Sequence, residues 1–124
     1  METDKEIKSF KDLLVWQKAL ELCLAVYAAT RSFPADERFG LTAELRKTAR
    51  SVPYNIAEGH KRPSTADYLR FLGIAAGSGG ELETQMLLAE RLAYLTQDQA
   101  RELLERYREV ERMLAGLVRS LERR

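Results

Sequence analysis

Apolar residues recur along this chain at alternating steps of three and four, in four separate stretches. Leu13, Trp16, Leu20, Cys23, Tyr27 and Thr30 mark the first stretch, and Leu41, Leu45, Thr48, Val52, Ile56 and Gly59 the second. The third carries Tyr68, Phe71, Leu72, Ala75, Leu82, Met86, Ala89 and Leu92. The fourth carries Leu103, Tyr107, Val110, Leu114, Leu117 and Leu121. This is the period of an amphipathic α-helix, and no alternating run of strand composition interrupts it. The pattern predicts an all-α chain with helices over about 12–31, 41–60, 64–94 and 97–122. Ser9 or Asp12 is placed to cap the first helix, and Ser64 with Asp67 and Thr96 with Gln99 are spaced as capping boxes for the third and fourth. Short connections between long helices favour antiparallel neighbours. The expected fold is therefore an up-down-up-down four-helix bundle, with residues 1–124 as one domain.

Two departures from a plain amphipathic pattern stand out. Val15, Leu22 and Val26 add a second apolar stripe to the first helix, which is then wide enough either to lie deepest in its own bundle or to be covered in part by another subunit. Pro53 falls in the second helix, where it cannot donate a backbone hydrogen bond and crowds the carbonyl of Ala49. Positions 45, 48, 52, 56 and 59 keep one phase across it, so the expectation is one helix kinked at the proline, with Ser51 and Asn55 as nearby polar groups for the freed backbone. Asn55 and Glu58 lie three apart on a shared side and, with Glu81 and Gln85, are assigned to a structural polar cluster that fixes how the second helix meets the third or the next subunit.

The third helix contains Gly73, Gly77 and Gly80 at i, i+4 and i+7, one smooth face that lets another helix approach closely. A phosphate-cradling loop is the competing reading of this segment. It is disfavoured because GSGG lacks the Lys-Ser/Thr ending and no strand precedes it.

Charge sharpens the picture only locally. The formal net charge is +1, which gives no general attraction to polyanions. From Glu44 to Arg62, however, Arg46, Lys47, Arg50, Lys61 and Arg62 outnumber Glu44 and Glu58, while positions 64–95 carry more acids than bases. The five cations form the candidate nucleic-acid-binding set, and repetition in a symmetric oligomer would strengthen them. Cys23 is the single cysteine, the N-terminus METDKEIKSF has no apolar leader, and the longest charge-free run, 71–80, is too short to span a bilayer; the chain is read as cytoplasmic.

Catalytic chemistry finds little support. A di-iron bundle needs Glu-x-x-His pairs, and the one histidine, His60, follows Glu58 by two, a spacing that diverges on a helix. Cys23 sits on the core stripe without a neighbouring cation. The expectation is no enzyme, no cofactor and no metal.

Several unusual words complete the reading. FKDLLVWQKALELCLAVYAAT, FPADERFGLTAELR, SVPYNIAEG, RPSTADYLRFLGIAAGS and ELETQMLLAERLAYL resemble, in order and spacing, the four-helix-bundle proteins of 23S ribosomal RNA intervening sequences. The resemblance runs from about Phe10 to Leu95, with the last helix matching only in pattern. It implies a left-handed bundle commonly assembled as a homopentamer, without established catalytic residues. Partners implied are further copies of the chain and RNA or a nucleic-acid-handling protein; the alternative is a protein-interaction or structural adaptor that binds no nucleic acid. One departure from the family pattern is Gly79-Gly80, where larger residues usually follow Gly-Ser.

Overall fold

Helices form where the three-four rhythm holds. The computed structural model describes residues 6–124, so the first five residues of the predicted domain and of the charged N-terminus lie outside the described residues. α1 spans Leu14–Thr30, α2 Leu41–His60, α3 Thr65–Arg91 and α4 Gln97–Glu122; short 3-10 turns precede α1 at Phe10–Asp12 and α2 at Ala35–Glu37. Each helix packs on two others, α1 on α2, α2 on α3, α3 on α4 and α4 on α1, which makes an all-α four-helix bundle.

Arg46 reaches Thr30 and Arg50 reaches Tyr27, so α1 and α2 run in opposite senses. Gly59 against Tyr68 and Phe71, and Ser51 against Ser78, give α2 and α3 the same relation. One end of the bundle joins the α1–α2 and α3–α4 connections, where the Tyr94 hydroxyl donates to Glu37 Oε2 at 2.8 Å and the Phe33 and Tyr94 rings pack 5.4 Å apart. The other end gathers the α2–α3 turn, the N-terminal segment and the last turn of α4.

The core is aliphatic. Leu22, Leu45, Ile56, Leu72, Leu82 and Met86 are essentially inaccessible, and burial of each side chain contributes about 1.5–3 kcal/mol. In α1 the second stripe proves the deeper one: Val15, Leu22 and Val26 are buried with Ala19, whereas Leu20 of the first stripe is 39% exposed and Leu24 63%. The bundle's own core therefore takes the second stripe together with Leu13, Cys23 and Thr30 of the first, and only the side of α1 that carries Leu20 and Leu24 stays open.

Capping explains where the boundaries fall. Ser9 caps the first 3-10 turn, its hydroxyl accepting from Lys11 N–H at 3.0 Å while Asp12 accepts from Ser9 N–H at 3.1 Å. Leu13 then turns extended, and α1 starts only at Leu14, two residues later than predicted. Thr96 and Gln99 form the predicted reciprocal box. Ser64 makes only its half, accepting from Asp67 N–H at 3.1 Å, because the Asp67 carboxylate turns to Arg70. α2 is capped by a residue the sequence pattern did not single out. Glu37 accepts from Leu41 N–H at 3.0 Å, and this bond, with the Tyr94 hydroxyl second, holds its carboxyl below the usual range.

α3 ends three residues before the predicted position because Ala93 adopts φ 64°. Tyr94 N–H bonds to Ala89 O at 2.9 Å and Ala93 N–H to Glu90 O at 2.9 Å, the paired bonds of a Schellman stop. An L-residue in that conformation carries about 1–2 kcal/mol of strain that glycine avoids, less what glycine loses in the unfolded chain. Ala93→Gly is expected to stabilise the protein by about 0.5–1 kcal/mol, read from the urea midpoint; an unchanged or lower midpoint would count against this account of the stop.

Candidate functional site

Three of the five candidate cations lie on one side of α2, and the structure separates their roles. Arg46 lays its guanidinium over the Tyr27 ring, 4.8 Å from the centroid, and donates through Nε to Thr30 Oγ1 at 2.9 Å. Arg50 donates to the Tyr27 hydroxyl at 2.7 Å. One aromatic side chain of α1 thus seats two arginines of α2, and both are half-buried along the seam between the helices. Tyr27 was legible only as a core position; nothing in the three-four rhythm marks an aromatic that anchors cations. Lys47 lies between the two arginines in sequence and is exposed. Lys61 and Arg62 stand beyond the helix end, where Arg62 pairs with Glu58 at 2.6 Å and covers the Phe71 ring at 4.8 Å. The set is therefore a basic side on α2 plus a separate basic turn.

The assigned polar cluster is divided in the same way. α2 continues through Pro53 to His60 as one helix. The short Asn55 amide turns back to donate to Ser51 O at 2.7 Å and Ser51 Oγ at 3.0 Å, and Ser51 Oγ meets Ser78 Oγ at 2.8 Å, so a hydroxyl pair joins α2 to α3. Glu81 and Gln85 border the same groove as Ser51 and Ser78. Gln85 is buried there, with its Oε1 accepting no hydrogen bond among the described groups. Glu58 does not join. Its longer side chain extends away to Arg62, one turn on, so Asn55 and Glu58 do not act together despite their shared side.

The glycine reading is corrected as well. Gly73, Gly77 and Gly80 are exposed, and a Cβ at any of them would meet nothing within 4 Å. The close approaches within the chain are at Gly79, where a Cβ would lie 2.6 Å from Tyr107 Cε1, and at Gly59, 2.9 Å from Phe71 Cβ. Gly79 continues the core line Leu72, Ala75, Leu82, Met86, whereas the other three glycines face outward. At Gly79 the Tyr107 ring lies across α3.

Burial pushes the Cys23 thiol up, with the Arg50 guanidinium pulling partly back. The Tyr107 hydroxyl, desolvated and bonded to Glu111 at 3.1 Å, is pushed up to about 12. Among the described residues no three His, Cys, Asp or Glu side chains gather as metal ligands would, and no helix is long and apolar enough to cross a membrane.

Comparison with known proteins agrees with the fold. The sequence profile described as 23S rRNA-intervening sequence protein matches residues 11–116, reaching well into α4. A crystal structure of a protein of unknown function from the S23 ribosomal protein family of Bacteroides thetaiotaomicron superposes with a TM-score of 0.76. It is 23% identical, and the alignment covers 85% of this chain and 98% of that one. No curated protein sequence matches this chain.

Proposed function

This chain belongs to the 23S rRNA-intervening sequence protein family, and on that premise we propose that it is a non-enzymatic homo-oligomer, assembled as a pentameric ring in the cytoplasm, that binds structured RNA through the basic side of α2. The observation that carries this reading is the seating of two arginines side by side at Tyr27. Among the described residues Arg46, Lys47 and Arg50 form no ion pair, although Lys47 borders a groove that Glu44 and Glu81 also line. Arg46 and Arg50 each spend one donor, Arg46 Nε on Thr30 Oγ1 and Arg50 on the Tyr27 hydroxyl, which leaves the rest of each guanidinium fork for phosphate oxygens. One such patch releases few counterions; repeated around a ring it binds by avidity.

Two apolar surfaces support assembly. Leu20 and Leu24 are open on α1, and Ile74, Leu87 and Leu88 on α3 with Leu92 at its C-terminal cap, on the helix that carries the three outward glycines. α1 and α3 stand across the bundle from each other, so the two surfaces face different ways. Two unlike faces on one protomer are what head-to-tail association into a closed ring requires, whereas a two-fold dimer needs only one.

Because Arg46 and Arg50 also hold the α1–α2 seam, replacing them with alanine would confound binding with packing. Lys47, exposed and with no side-chain hydrogen bond or ion pair among the described residues, is the clean probe. In anisotropy titrations with a structured RNA, Lys47→Glu is expected to weaken binding about tenfold and to lower the salt slope by at least about 1. Absence of binding at low salt, or an unchanged slope, would sink the RNA reading in favour of a protein adaptor.

A further inference from the structure

The two ends of α2 differ. Beyond its C-terminus the α2–α3 turn, the start of α3, the last turn of α4 and the N-terminal segment converge around two clefts that share His60. The larger, about 510 Å³, is bordered by His60, Arg62, Ser64, Thr65, Ser120 and Arg124, over an apolar floor that includes Leu117 and Leu121. The smaller, about 330 Å³, is bordered by Lys8, Lys11, His60 and Lys61. Among the described residues no Asp or Glu lines either one.

Five full cations and an imidazole are thus brought together from segments far apart in sequence. Two of the groups are held in place. The His60 ring stands edge-on to Tyr68 at 5.7 Å. Arg62 is fixed between Glu58 and the face of Phe71, and a single contact to Glu58 leaves most of its five N–H donors unspent. Among the described residues Glu58 is the one carboxylate in an ion pair with a lining cation, and Asp12 accepts from the Lys8 and Ser9 backbone N–H groups beside the smaller cleft. The positive end of α3, a helix of 27 residues, opens at the same place, with Ser64 at its cap. His60 offers an N–H in either protonation state, and Ser64, Thr65 and Ser120 offer hydroxyls. Cations that outnumber the acids beside them repel one another, and an anion seated among them relieves that repulsion.

We propose that this end of the bundle binds a phosphate group, as the terminal phosphate of a polynucleotide or as a free phosphate or pyrophosphate. Tetrahedral oxyanions match the donors present: guanidinium forks from two sides, a ring N–H and hydroxyls. The inference goes beyond the α2 patch. Arg46 lies fourteen residues before His60, about 20 Å along the helix, and a terminal phosphate can be held by one protomer without a ring.

The test uses the full chain and two probes at fixed ionic strength: inorganic pyrophosphate, and a short single-stranded oligonucleotide carrying either a 5′-phosphate or a 5′-hydroxyl. The expected result is saturable binding with Kd below about 1 mM, and amide and imidazole shifts confined to residues 60–66 and the end of α4. Arg62→Gln with Arg124→Gln should weaken it at least about tenfold, while Arg101→Gln, near the opposite end of α4, leaves it unchanged. Tighter binding of the phosphorylated oligonucleotide than of the hydroxyl form assigns the site to polynucleotide ends. Binding of pyrophosphate with no difference between the oligonucleotides assigns it to free phosphates. Failure of both probes to saturate, or binding that persists in the folded double variant, overturns the proposal. Lys47→Glu touches neither cleft, so loss of RNA binding there and loss of phosphate binding here are separate results.

Discussion

Gly59→Val is expected to lower stability by about 3 kcal/mol and the melting temperature by about 12 °C, at roughly 4 °C per kcal/mol for a chain of this size. A Cβ at Gly59 would stand 2.9 Å from Phe71 Cβ, 3.1 Å from Tyr68 Cδ1 and 3.2 Å from Tyr68 O. A Cβ and a backbone carbonyl cannot rotate out of the way. The last turn of α2 would therefore have to part from the first turns of α3, and the neighbouring contact of Ser51 with Ser78 would feel the shift. Alanine would clash at the same Cβ but recover about 1 kcal/mol of helix propensity, so its loss should be smaller. Gly116→Ala is the matched control, since the nearest atom to its Cβ is the mobile end of Arg119 at 3.9 Å, and it should gain about 0.5–1 kcal/mol. If Gly59→Val melts with the native protein, the tight α2–α3 approach is wrong.

The contrast between these glycines shows what a sequence can and cannot carry. Helix number, approximate bounds and the core line follow from apolar periodicity, because burial depends on which residues share a face. Gly59 lay on that line and so did Gly79, in the gap between Ala75 and Leu82, where phase alone places a small residue against the core. The stripe 73, 77, 80 looked the better packing surface because spacing is visible and orientation is not. Side-chain reach was likewise hidden. Asn55 and Glu58 share a side, but their different lengths send one back to Ser51 and the other on to Arg62. The basic residues were legible as charge, whereas their seating on Tyr27 depends on the register between two helices. The end clefts were least legible, since His60 comes beside Arg124 in one and Lys8 in the other only once the bundle closes.

Leu24→Glu and Ile74→Glu are each expected to reduce the proposed ring to monomers in light-scattering measurements without unfolding the protomer. Both side chains are already open to solvent, Leu24 at 63% and Ile74 at 43%, so within one chain the change should fall inside about ±0.5 kcal/mol. At a subunit interface the same carboxylate would be desolvated without a partner, at a cost of several kcal/mol, enough to dissolve a micromolar contact. The two variants damage different faces, and mixing them separates the possible symmetries. In head-to-tail association the intact α1 face of Ile74→Glu can still meet the intact α3 face of Leu24→Glu. The mixture should then form one-to-one dimers and stop there, because each dimer ends on two damaged faces. Self-complementary faces would behave otherwise: each variant alone would remain a dimer through its intact face, and mixing would add no new species. Dimers in the separate variants would overturn the head-to-tail ring, and a monomeric native protein would remove the multiplied basic surface on which avidity for RNA depends.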